Sequence, residues 1–140
     1  MIFCRLFSTR PECTKLRRLL IHKYSGNYHC SMCMNAFPFP LLDMAHIKPR
    51  HTLTSVIDRK NIHNVEFMCK MCHAIYDQGF IGVNSKGIIE SKHASFLSAL
   101  FVVRQIGNVY SKYSDDNAPF FNWHYHHIFN MKHKQYVQNL

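Results

Sequence analysis

The residues in this chain best equipped for chemistry are its cysteines and histidines. Four of the six cysteines fall in two C-x-x-C pairs, Cys30/Cys33 and Cys69/Cys72, with 35 residues between Cys33 and Cys69. Two intervening residues let both sulfurs of a pair turn toward one ion, and two such pairs can surround one Zn²⁺ tetrahedrally. Four thiolates leave no open position for water, so an ion held this way is structural. A redox C-x-x-C or two unrelated thiol pairs are the alternatives, although a thioredoxin-like setting needs a βαβ context that is not visible here. Cys4 and Cys13 lie outside the pattern and read as ordinary thiols, since free cysteine prefers burial.

Between the two pairs runs Leu42-Asp43-Met44-Ala45-His46-Ile47-Lys48-Pro49. After a basic loop comes Asn64-Val65-Glu66-Phe67-Met68-Cys69-Lys70-Met71-Cys72-His73-Ala74-Ile75-Tyr76-Asp77. These segments resemble the HNH endonuclease family, in the branch whose first motif is Ala-His-Ile and whose last is Cys-x-x-Cys-His-x-x-aromatic-Asp. The order His46, Asn64, His73 agrees with it: Asn64 stands five residues before Cys69, and His73 directly follows the second cysteine pair. Arg17-Arg18-Leu19-Leu20 with Tyr24-Ser25-Gly26-Asn27 is similar to the family's basic helix and turn, and Gly79-Phe80-Ile81 through Gly87-Ile88-Ile89 to its following hairpin. Residues 17–90 carry the resemblance. Phe121-Asn122-Trp123-His124 to Phe129 is more weakly similar to an aromatic, His-containing segment of restriction-type HNH proteins.

The resemblance implies an α+β fold: a small ββα-metal (HNH, His-Me finger) core with zinc-binding cysteine pairs, flanked by N-terminal and C-terminal helices. It implies metal-dependent hydrolysis of DNA phosphodiester bonds, with His46, Asn64 and His73 as the catalytic residues and Mg²⁺ or Mn²⁺ as the catalytic ion. That reaction needs an activated water, a general base and a cation to neutralise charge on phosphorus-bound oxygens. His46 suits the base, because an unperturbed imidazole titrates at about 6.5. The cation sits against His73, while Asn64 either ligates it or orients the loop carrying the base. Many HNH enzymes place an acid or histidine directly before the base, where this chain has Ala45. Strand alternation gives Asp43 the same face as Ala45 and makes it the substitute ligand, ahead of Asp58 and Asp77. Asp77 is either a hydrogen-bonding orienter of a histidine or a plain helix-end residue.

These groups must be positioned by short elements. Apolar spacing among basic residues predicts an amphipathic helix over 15–24, stopped by Ser25-Gly26-Asn27. Cysteines and the Phe-Pro-Phe-Pro run make 29–39 a knuckle or loop. Strands are expected at 41–47 and 65–68, with a basic loop over 49–61 between them and a helix over 69–77 after them. Residues 80–83 and 88–89 flank Asn84-Ser85-Lys86-Gly87 as a hairpin. An apolar helix packed in the core is expected over 93–106, and a loop around Asp115, Asp116, Asn117 and Pro119. No repeat or linker divides the chain, so residues 1–140 read as one domain, with an aromatic helical extension over 91–140.

Composition narrows the partners. The chain carries 17 Lys and Arg against 8 Asp and Glu, a formal net charge of +9 and a pI near 9.4, which favours a polyanion and above all duplex DNA. Lys48, Arg50, Arg59 and Lys60 lie beside the expected base and read as phosphate contacts. The longest apolar run, 94–103, is about half a membrane span, and residues 1–10 do not resemble a signal peptide, so the expectation is an intracellular protein without a membrane partner. His22, His29, His51, His63 and His93 read as ordinary surface or core residues. His124, His126 and His127 read as parts of a packed aromatic segment rather than a metal tract. Double-strand cutting is geometrically easier for a homodimer. Two other functions compete: a nucleic-acid-binding zinc module with a decayed active site, and a structural zinc protein, which leaves the +9 charge unexplained.

Overall fold

A computed structural model of the chain describes residues 10–92 and 100–131. The first helix, α1 (Pro11–Tyr24), begins four residues ahead of the expected start. Proline at the first helical position has no amide to lose, and Glu12 in the first turn suits the positive helix end. Leu16 and Leu20 are buried with Cys13, while Leu19 is 44% exposed. The helix stops where expected, at Ser25 in the left-handed region, whose amide bonds to the Ile21 carbonyl. Cys13 departs from the expected free thiol: it is disulfide-bonded, a covalent use that its isolated place in the sequence does not announce. Cys4 lies outside the described residues.

Strands β1 (Leu42–His46) and β2 (Val65–Cys69) pair antiparallel, with Leu42 opposite Cys69 and His46 opposite Val65. All five β2 residues are buried, and both α1 and the helix that follows pack against this strand. The expected basic loop between the strands is partly helical: a 3₁₀ turn at Arg50–Thr52 and a short α2 (Val56–Arg59), capped by the Ser55 hydroxyl accepting from the Asp58 amide. Helix α3 (Lys70–Asp77) starts immediately after β2, with the Cys69 sulfur as its N-cap acceptor. Tyr24 ties α1 to the hairpin, its hydroxyl 2.8 and 2.7 Å from the two carboxylate oxygens of buried Glu66.

A second hairpin joins β3 (Ile81–Val83) and β4 (Ile89–Ser91). Its turn is organised by Asn84, whose side-chain oxygen accepts from the amides of Lys86 and Ile88. Gly87 sits at φ +78°, and a Cβ there would lie 2.6 Å from the Tyr113 ring, so both backbone and space demand glycine. In the described part of the expected 93–106 helix the chain forms only a 3₁₀ segment, Phe101–Gln105. Val102 is buried, whereas Phe101 and Val103 face solvent, so the apolar run does not supply one continuous buried face; residues 93–99 lie outside the described part. The expected loop at 115–119 ends early, because Pro119 occupies the first turn of α4 (Ala118–His124) and starts it rather than breaking it. A π-helical turn, Tyr125–Phe129, continues α4.

The result is an α+β molecule with two small two-stranded sheets. Its core is centred on Phe67, Tyr76, Tyr110 and Phe121, each at most 2% exposed. Tyr76 and Tyr110 each meet Phe121 edge-on, which joins α3 to the C-terminal aromatic helix. Among the described residues no helix is long and apolar enough to cross a membrane.

Candidate metal and histidine sites

The four cysteines of the two pairs converge. Cys30 and Cys33 lie in the turn before β1, Cys69 ends β2, and Cys72 is in the first turn of α3. Their sulfurs all lie within 4.8 Å of one another, and all four side chains are buried and free of disulfides. A tetrahedron of sulfurs about 2.3 Å from Zn²⁺ has edges of about 3.8 Å, so this cluster could hold such an ion with little adjustment. The Cys33 amide donates to the Cys30 sulfur and the Cys72 amide to the Cys69 sulfur, each at 3.4 Å, which orients both turns toward a common centre. The Asn35 amide nitrogen adds a bond to the Cys33 sulfur at 3.5 Å. Mutual hydrogen bonding divides the group: Cys30, Cys69 and Cys72 hold Cys33 low, Cys30 and Cys72 bring Cys69 down to about 7 against Cys33, and Cys30 and Cys72 are themselves pushed up. Four crowded sulfurs cannot all ionise without a cation, and a divalent metal removes that conflict.

At the next position along α3, His73 is buried between two carboxylates. Its Nδ1 lies 3.0 Å from Asp43 of β1, and its Nε2 lies 3.0 Å from Asp77 at the end of α3. Burial alone would lower its pKa, but the two carboxylates outweigh burial and raise it to about 9. Asp43 also receives Lys70 at 2.7 Å. Burial opposes its ionisation, yet His73 and Lys70 hold it below the usual carboxylate range. Asp43 thus reaches the helix from the face it shares with Ala45, and Asp77 orients a histidine rather than simply ending a helix. Asp58 lies on α2, where its amide is bonded to the Ser55 hydroxyl.

His46 ends β1 and is only 4% exposed, and neither of its ring nitrogens has a hydrogen-bond partner. Burial first, then the charges of Arg50 and His73, lower its pKa to about 4. It is therefore a neutral imidazole at neutral pH. The backbone just beyond it is fixed at four points. Asn64 accepts from the Lys48 amide at 2.8 Å and donates to the Lys48 carbonyl at 3.0 Å. The Ile47 amide donates to the Asn64 carbonyl at 2.8 Å, and the Tyr76 hydroxyl donates to the Ile47 carbonyl at 2.9 Å. Asn64 therefore orients the loop that follows His46, and both its amide atoms are spent on that task.

The four basic residues separate. Arg50 forms an ion pair with Glu12 of α1, donating from Nε at 2.9 Å and from Nη2 as well; the guanidinium holds the Glu12 carboxyl below its usual range. Arg59 donates to the Leu53 carbonyl at 3.1 Å. Lys60 is exposed, and the Lys48 ammonium lies 5.2 Å from the centre of the Trp123 ring. Of the remaining histidines, His22, His29, His51 and His63 are exposed. His124 is buried, stacked on Tyr76 at 3.7 Å, and donates from Nε2 to the Tyr76 carbonyl at 2.8 Å, which makes it a packing residue. His127 stacks on Trp123 at 4.5 Å. His93 lies outside the described residues.

Glu12, Lys70 and Trp123 are contributors that sequence reasoning passed over. Glu12 and Arg50 are 38 positions apart, and no local pattern joins them. Tyr76 did carry a signal, as the aromatic position of the last motif, but its hydroxyl bond to Ile47 is a tertiary contact. Neither protein-family models nor curated proteins match this chain.

Proposed function

We propose that the protein is a metal-dependent HNH-type endonuclease that hydrolyses the phosphodiester backbone of duplex DNA, with His46 as general base. The observation that carries this reading is the paired environment of its two histidines. His46 is neutral and without a partner, and it lies near enough to the carboxylate-flanked His73 for that charge to lower its pKa. A base must be unprotonated and unengaged to accept a proton from water, and His46 meets both conditions. Its low pKa makes it a weak acceptor in the free protein. A polyanionic substrate beside it would raise its proton affinity toward the useful range.

Asp43, His73 and Asp77 bring oxygen and nitrogen donors suited to Mg²⁺ or Mn²⁺, with Asp43 and His73 as the ligands and Asp77 as the orienter. A divalent ion there would neutralise charge on a phosphate oxygen and on the departing 3′ oxygen. To offer a lone pair His73 must give up its proton, and Lys70 must leave Asp43, so acid should oppose ion binding. Asn64 and Tyr76 hold the chain beyond His46 in place, which fixes where the imidazole points. The four cysteines, holding structural zinc, fasten the start of α3 to the turn before β1.

One observation favours a second reading, a zinc-stabilised nucleic-acid-binding module without catalysis. The Asp43, Asp77, His73 and Lys70 charges already balance one another without an ion. Incubation of purified protein with supercoiled plasmid and Mg²⁺ or Mn²⁺, with and without chelator, separates the two. Chelator-sensitive nicking or linearisation supports the nuclease; DNA retention without cutting under every ion supports the module.

A further inference from the structure

The C-terminal aromatic helix reaches the residues immediately after His46 by two routes. Along one, His124 stacks on Tyr76 and bonds its carbonyl, and the Tyr76 hydroxyl bonds the Ile47 carbonyl. Along the other, the half-buried Trp123 ring takes the Lys48 ammonium at 5.2 Å. Trp123 is itself braced by His127, whose ring stacks on it within 13° of parallel and whose Nδ1 bonds the Trp123 carbonyl at 2.9 Å. Asn64 fixes the Lys48 backbone from both sides. Backbone and side-chain end of Lys48 are thus both restrained, an arrangement that costs a long side chain much of its rotamer freedom.

The contrast with Arg50 gives the restraint its meaning. Arg50 is held by a carboxylate and largely neutralised. Lys48 is held by an aromatic face, which orients an ammonium through the ring quadrupole without cancelling its charge. Among the described residues no carboxylate is paired with Lys48. We infer that Trp123 is a positioning residue that presents the Lys48 ammonium, two residues beyond His46, to a phosphate of the nucleic-acid backbone. This rests on the nuclease reading and deepens it by giving the C-terminal helix a task at the same site.

A double-mutant cycle tests the inference on plasmid cleavage and on duplex affinity across a salt series. Trp123→Leu should lower kcat/KM by roughly fivefold, the scale of a lost cation–π contact, and Lys48→Met should lower it at least as far. In the Lys48→Met background Trp123→Leu should then change nothing further. Trp123→Tyr and Trp123→Phe, which keep an aromatic face, should fall between wild type and Trp123→Leu, and they carry the test if the leucine variant loses zinc or melts early. Equal losses from Trp123→Leu with and without Lys48, or wild-type kcat/KM in Trp123→Leu, would overturn the inference while leaving the nuclease reading intact. A wild-type protein that neither binds nor cuts DNA would overturn both.

Discussion

His46 on β1 and His73 on α3 carry the same side chain, and their surroundings leave the first neutral and the second charged. Both are nearly inaccessible to solvent. His46 has no partner for either nitrogen, so desolvation prevails and its pKa drops to about 4. His73 has a carboxylate at each nitrogen, so ion pairing prevails over desolvation and its pKa rises to about 9. Burial alone therefore does not set a histidine's role. The partners that burial brings with it decide whether the ring serves as a free acceptor or as a held cation.

The most drastic way to break the comparison is to remove the scaffold common to both. Stripping metal from the cysteine cluster, or replacing Cys69 and Cys72 by Ser, should release the start of α3 and with it His73, because structural zinc commonly contributes on the order of 10 kcal/mol to small domains. Circular dichroism with metal analysis would read this as loss of cooperative melting together with one zinc per chain. A folded, melting protein free of zinc would count against the staple.

Acid sharpens the difference between the histidines. His46 titrates at about 4 in the folded protein against 6.5 for an ordinary histidine, so the unfolded chain binds the extra proton first. Its contribution is complete above pH 6.5 and is lost as pH falls through 4, an effect of about 3 kcal/mol. His73 acts in the opposite sense, stabilising fully below 6.5 and losing its contribution as pH rises through 9. Denaturant melts of wild type and His46→Ala between pH 7 and 4 should show a shallower acid loss in the variant. Parallel curves would mean that His46 is not buried neutral.

Smaller effects are expected from the residues that hold the chain beyond His46. Asn64→Ala removes two bonds to Lys48 and leaves a partly buried amide and carbonyl to find other partners, a cost of about 2 kcal/mol. It should reduce cleavage as well. Tyr76→Phe removes only the hydroxyl bond to Ile47 and should cost about 1 kcal/mol. Chemical denaturation would rank the two, and a reversal would shift the main support of the chain beyond His46 from Asn64 to Tyr76.

The sequence revealed most where spacing is local. C-x-x-C turns, the strand beginning at Val65 and the helix beginning after Cys69 are dictated within a few residues, and they appear within one or two positions of where spacing puts them. The errors have a common cause in signals that point two ways. Pro11 and Pro119 can end a helix or begin one, and here each begins one. The run at 100–106 is apolar, but Phe101 and Val103 are left in solvent. What could not be read at all is the pairing of Arg50 with Glu12, Glu66 with Tyr24 and Lys48 with Trp123. Those contacts join residues 38 or more positions apart and exist only after the helices have packed.

The central claim is that the partnerless histidine, not the ion-paired one, takes the proton. Plasmid cleavage by wild type, His46→Ala and His73→Ala across a Mg²⁺ and Mn²⁺ titration tests it most directly, with zinc content and DNA affinity measured on the same preparations. His46→Ala should lose about 10²- to 10⁴-fold in rate at every ion concentration while keeping its zinc and its affinity, whereas His73→Ala should recover in part as the ion is raised. Cleavage by His46→Ala at the wild-type rate would contradict the account.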